Sequence, residues 1–240
     1  MSNKQFIAPK NASSAYIYVN VREKPNIDSK SIYRLEGTGK IAKLLKEEGD
    51  SNFIFSQYQF ENGIVGWIRN DVHVRTEFED GFINVPYVSQ SDVYSDKFIN
   101  DCGIACVCML AKFKGKECKV NDIAAKVGMS KYSLTSFQHI LKAGNLLGIS
   151  LRFERPFDLV DGINYIKKGL PYIALVNYNE IDKKYNFPHF IVVNGIDDDM
   201  FDILDPYNSN NRKLSSPILA NAISKTETQK NMPFQAILLE

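Results

Sequence analysis

Five side chains decide what chemistry is open to this chain. Cys102 follows Asn100-Asp101 and opens the apolar run Gly103-Ile104-Ala105-Cys106. A polar residue ahead of such a run marks a helix start, with Asn100 or Asp101 as cap, and puts Cys102 in the first turn. There the helix dipole and the free backbone N–H groups favour a thiolate. Gly103 would leave room for a substrate chain. A nucleophilic cysteine also needs a base, and the chain has 3 histidines. His73 lies beyond Trp67, and His139 sits inside Phe137-Gln138-His139-Ile140-Leu141, an ordinary helical setting. His189 stands after Pro188 at the mouth of Phe190-Ile191-Val192-Val193, where an imidazole can face a helix N-terminus. Asp205 closes the next apolar run, Phe201-Asp202-Ile203-Leu204, and precedes Pro206. A hairpin of those two strands returns Asp205 to His189, where a carboxylate fixes the tautomer and stabilises the imidazolium. The chemistry expected is acyl transfer by a thiolate.

The remaining thiols read more plainly. Cys102, Cys106, Cys108 and Cys118 fall within 17 consecutive positions of a chain that is neither short nor cysteine-dense, so reduced thiols are expected. Cys106 and Cys108 read as core, and Cys118 as an exposed loop residue. Cys102 and Cys106 are four apart, but no second Cys or His pair has ligand spacing, so no metal and no cofactor is expected. Asp197-Asp198-Asp199 reads as a solvated hairpin turn rather than a calcium site.

The elements that must position these residues occupy the second part of the chain. From Asn100, helices are expected over Cys102–Phe113, Asn121–Val127, Ser133–Leu147 with Ser133 as cap, and Phe157–Lys168 closed by Gly169. Strands follow at Ile149–Phe153, Tyr172–Val176, His189–Gly195, Phe201–Leu204 and Gln235–Leu239. Ser209–Arg212 reads as a loop, and Pro217–Glu227 as a helix. Helices followed by strands indicate an α+β domain. The first 80 residues carry only short strand patterns, at Ala15–Val21, Lys40–Leu45, Asn52–Phe60 and Ile64–Ile68, the signature of a small all-β barrel. Trp67, the single tryptophan, is expected in its core. The composition changes at about 78–84, giving domains at 1–80 and 81–240.

Of the 240 residues, 44 % are apolar and 24 % charged, which excludes a largely disordered chain. A net charge of +1, spread evenly, gives no footprint for nucleic acid or an anionic membrane. No apolar run is long enough to cross a bilayer, and Met1–Ser14 lacks the apolar core of a secretory signal. The expectation is a protein cytoplasmic as synthesised, with release to cell walls by lysis still open.

Two resemblances extend this reading. Val19-Asn20-Val21-Arg22-Glu23-Lys24-Pro25 and Gly66-Trp67-Ile68 resemble the opening and closing strands of bacterial SH3-like domains. That implies a barrel binding peptides or cell-wall material. Asp101-Cys102-Gly103-Ile104-Ala105, then His189-Phe190-Ile191-Val192-Val193-Asn194-Gly195, then Asp205-Pro206 resemble the bacteriocin-leader-processing cysteine peptidases and their freestanding relatives, of the papain-like group. Val85-Pro86-Tyr87-Val88-Ser89-Gln90 resembles the entry strand of the freestanding members.

The second resemblance implies Cys102 as nucleophile, His189 as base and acid, and Asp205 as its orienting group. It implies Gln90, with the Cys102 backbone N–H, as oxyanion donor. Gln90 lies 12 positions before Cys102, wider than in the transporter-linked members, so Ser91–Ile99 must form a loop and Asn100 is a rival donor. The expected fold is an α+β papain-like cysteine peptidase domain preceded by a small SH3-like barrel. The expected function is hydrolysis of peptide or peptide-like amide bonds, on peptidoglycan peptides with the barrel as targeting module. Processing of a leader or partner protein, acyl transfer to an amine, and a non-catalytic binding module are the alternatives.

Overall fold

A computed structural model describes residues 4–10, 18–36, 40–49, 53–77, 81–90, 101–130, 133–155, 157, 159–197, 200–207, 209–224 and 235–240. Seven strands occupy the N-terminal region: β1 (Lys4–Pro9), β2 (Tyr18–Arg22), β3 (Ser31–Glu36), β4 (Lys40–Gly49), β5 (Ile54–Phe60), β6 (Val65–Arg69) and β7 (His73–Glu77). They form one antiparallel sheet in the order β3-β2-β6-β5-β4-β1-β7. Strand period two sends Val19 and Val21 of β2 inward, to meet Leu35, Tyr58 and Ile68. Trp67 is buried, as expected.

Three of these strands, β1, β3 and β7, were not expected, and β4 runs on to Gly49. Residues 15–17 of the expected first strand, and Asn52, lie outside the described residues. β1 is buried on both sides. Ile7 enters the sheet's own core, while Phe6 and Ala8, with Ile41, join the core of the C-terminal region.

In that region β8 (Gly81–Phe82) comes first, then α1 (Cys102–Phe113), α2 (Val120–Lys126), α3 (Phe137–Leu147), β9 (Leu151–Glu154) and α4 (Leu159–Lys167). β10 (Tyr172–Asn177), β11 (Pro188–Asp197), β12 (Met200–Asp205), β13 (Ser209–Ser215), α5 (Ser216–Ser224) and β14 (Ala236–Leu239) follow. The second sheet is antiparallel, in the order β13-β12-β11-β10-β14-β9, with β8 added to β11. Every residue of β10 is buried, as a central strand covered on both faces requires. Helix α1 is buried from Cys102 through Ala111, which its apolar residues on all sides permit.

Several expectations need correction. Helix α3 starts at Phe137, capped by Ser136, whose hydroxyl accepts the His139 N–H while His139 Nδ1 accepts the Ser136 N–H. Ser133 instead donates to the Ser130 carbonyl. Ser209–Arg212 is part of a strand, β13, not a loop. It lies at the sheet edge, where one side needs no apolar residues, and Lys213 pairs there with Asp197. Residues 83–90 form no strand. They run extended, held by the Ile83 N–H to the Asn194 carbonyl and the Gln90 N–H to the Pro206 carbonyl. Asp198 and Asp199, residues 156 and 158 of the fourth expected helix, and residues 225–227 of the last one lie outside the described residues.

Cys108 and Cys118 are joined by a disulfide, against the expectation of four reduced thiols. Helix α1 ends at Phe113, Gly115 takes φ 72°, and the Lys116 N–H turns back to the Ala111 carbonyl. That reversal brings the two Cα atoms to 5.4 Å, within bridging reach.

Candidate active site

Helix α1 presents Cys102 at its first position, 8 % exposed. Asp101 occupies the cap position, but its side chain makes no capping hydrogen bond, and Asn100 lies outside the described residues. Gly103 serves packing rather than substrate approach. A Cβ there would stand 2.4 Å from Thr135 Cγ2 and 2.9 Å from Ile140 Cδ1. The glycine lets α1 settle against α3 and the segment before it, and this seats Cys102.

The hairpin of β11 and β12 pairs Val192 with Leu204 and brings Asp205 to His189, as the two apolar runs predict. His189 Nε2 lies 2.8 Å from Asp205 Oδ1, with both side chains buried. A carboxylate only accepts, so Nε2 carries the proton there and Nδ1 is left for Cys102. Burial by itself would lower the proton affinity of His189. The Cys102 thiolate charge and hydrogen bonds with Asp205 and Cys102 overcome this and raise it to about 9. Burial would push Asp205 up. Its hydrogen bond with His189, the His189 charge, the Tyr178 hydroxyl and the Tyr207 N–H hold it below the usual carboxylate range. The imidazole thus lies between a buried carboxylate and the Cys102 sulfur.

Cys106, one turn along α1, is fully buried, and burial pushes its thiol well up. It is core, as expected. Gln90 is held beside the Asp205–Pro206 turn by its backbone, and its side-chain oxygen is buried without a hydrogen-bond partner among the described residues. His73 and His139 belong to other places, β7 and the cap of α3. Among the described residues, no three His, Cys, Asp or Glu side chains gather as a metal site.

Sequence reasoning missed the aromatic surroundings. Tyr178, in a single 3₁₀ turn after β10, donates its hydroxyl to Asp205 Oδ2 at 2.6 Å. Its ring meets His189 edge-on and stacks on Phe187. The density of Tyr and Phe between positions 178 and 187 was the available signal.

A thiol at a helix head, a carboxylate-backed imidazole at a strand mouth and an α+β frame define a papain-like cysteine peptidase. The chain belongs to the Peptidase_C39 like family, whose model matches residues 82–231. A crystal structure from Bacillus anthracis named as a C39-like peptidase has the same fold, with a TM-score of 0.55 at 15% identity, over 68% of this chain and 98% of that one. The peptidase domain of Streptococcus ComA, a bi-functional ABC transporter, gives a TM-score of 0.49 at 21% identity, over 65% of this chain and 98% of that one. No curated protein matches the chain significantly. No helix of the described residues is long and apolar enough to cross a membrane.

Proposed function

We propose that this peptidase hydrolyses peptide or peptide-like amide bonds through Cys102, His189 and Asp205. The observation that supports it is the buried His189 imidazole, shared between Asp205 and the thiol at the head of α1. In this reading the Cys102 sulfur attacks the carbonyl carbon. The oxyanion is met by the Cys102 backbone N–H and the Gln90 amide. Gln90, whose backbone N–H holds it beside the Asp205–Pro206 turn, offers its side-chain NH2 group for that role. The tetrahedral intermediate collapses as His189 gives its proton to the leaving amine, leaving a thioester. His189 then takes a proton from water, and the hydroxide releases the acid.

Residues 1–80 act in this reading as an SH3-like targeting domain and residues 81–240 as the peptidase domain. A groove of about 240 Å³ on the N-terminal sheet, lined by Tyr18, Arg22, Ile27 and Arg69, offers a place for an extended peptide. The shared core at Phe6, Ala8 and Ile41 holds that sheet against the peptidase domain rather than on a free tether. The Cys108–Cys118 disulfide suits an oxidising compartment, so we place the working protein outside the cytoplasm. Peptidoglycan peptides are then the substrate.

The test is turbidity loss on Gram-positive walls, compared with Cys102→Ala. Lysis by the wild type alone is expected. Neither wall binding nor lysis would sink the wall reading, and a cellular protein cut only by wild type would move the substrate to a processed partner.

A further inference from the structure

Resting on the Cys102–His189–Asp205 reading, the geometry points to Tyr178 as a positioning residue of this site: its hydroxyl holds Asp205 Oδ2 and so keeps Oδ1 turned toward His189. Asp205 is fully buried and has three donors for two oxygens. Oδ1 takes His189 Nε2 at 2.8 Å and the Tyr207 N–H at 2.9 Å, while Oδ2 takes the Tyr178 hydroxyl at 2.6 Å. Without that hydroxyl, one side of a buried carboxylate loses its donor, and the carboxylate can swing about its last torsion. The angle at which it holds the imidazole is then no longer set from both sides.

Tyr178 is itself fixed. It is fully buried, its ring centroid is 5.1 Å from that of Phe187 in a stack, and 4.9 Å from that of His189 edge-on. The β10–β11 register places it there, since Val176 pairs with His189 and Tyr178 follows two positions later.

The other groups around Asp205 come from several elements. His189 reaches it from β11 and the Tyr207 N–H from just beyond β12. The Tyr87 hydroxyl donates to the Asp205 main-chain carbonyl, not to the carboxylate. Cys102 and Cys106 face the same centre from α1, and Cys106 is a neutral buried thiol. Tyr178 is thus the one neutral side-chain donor on the carboxylate among these groups. It is one of the groups that hold Asp205 below the usual carboxylate range. Removing it makes the carboxylate bind a proton at higher pH. Once Asp205 is protonated, it no longer supports the imidazolium.

The experiment follows iodoacetamide labelling of Cys102 against pH by peptide mass spectrometry in the full chain. Wild type, Tyr178→Phe, Asp205→Asn, the double variant and His189→Ala are compared. Tyr178→Phe is expected to move the acid limb of labelling up by about one pH unit, the scale of one hydrogen bond to a charged group. It should lower labelling near pH 6 several-fold and do nothing further in the Asp205→Asn background. An unmoved acid limb, or an equal shift with and without the Asp205 charge, overturns the role of Tyr178 and leaves the nucleophile–base pair standing. His189→Ala labelling like wild type overturns the pair and the role of Tyr178 together.

If Tyr178→Phe fails to fold, 3-fluorotyrosine placed at position 178 supplies a stronger donor in the same shape. It should move the acid limb down, and no downward shift overturns the proposal.

Discussion

His189 and His73 are both buried histidines, one in each region of the molecule, and they are driven in opposite directions. Burial pulls both toward the neutral form. At His73 it prevails. Nδ1 donates to the Arg69 carbonyl at 2.9 Å and Nε2 accepts the Tyr58 hydroxyl at 2.9 Å, which satisfies a neutral ring, and the nearby Arg75 charge opposes a second proton. At His189 the partners are the Asp205 carboxylate, which only accepts, and the Cys102 sulfur, and the ring is raised to about 9. The identity of the neighbours decides whether a buried histidine stays neutral or holds a second proton; depth of burial does not.

The largest expected effect separates the two rings by function. His189→Ala or Cys102→Ala should lower peptide hydrolysis by on the order of 10³-fold or more. His73→Gln should leave kcat/KM within about twofold, because both ring nitrogens of His73 are bonded within the N-terminal sheet region, to Tyr58 and to the Arg69 carbonyl. An equal loss in both variants would break the contrast.

Gly103→Ala should come next. The added methyl meets Thr135 and Ile140, so a loss of about 1–3 kcal/mol in urea unfolding is expected. A drop in Cys102 labelling should accompany it, because α1 must move. In the N-terminal sheet, Tyr58→Phe leaves His73 Nε2 without its donor. It should cost about 1–2 kcal/mol with Cys102 labelling unchanged.

The smallest effect is in the pH dependence of Tm. His189 holds its proton more tightly folded than unfolded. Its contribution is complete below about pH 6.5 and is lost as pH rises toward about 9. His73 holds its proton less tightly when folded. Its contribution is present above about pH 6.5 and is lost as pH falls below that. His189→Ala should flatten the alkaline side of the Tm profile and His73→Gln the acid side. The same side flattened by both variants would contradict the opposite shifts.

How much was legible varied with the kind of contact. Helix α1, the β11–β12 hairpin and the approach of Asp205 to His189 follow from apolar runs and their ends, which are local in sequence. The edge strands β3, β7 and β13 were missed because an edge, open on one side, tolerates polar residues such as Ser209-Asn210-Asn211. β1 was missed for another reason. Phe6-Ile7-Ala8 has no alternation, since one side faces its own sheet and the other the peptidase core.

By itself the amino-acid sequence determined the order of the elements after position 100 apart from β13, the placing of a cysteine at a helix head, and a histidine and an aspartate at facing strand ends. Those depend on period, caps and the geometry of one hairpin. Only the tertiary structure decided that Gly103 packs against α3, that Cys108 meets Cys118, and that Tyr178 holds the far oxygen of Asp205. Each of these depends on two segments meeting in space, and the distance and angle of that meeting are set by the whole core.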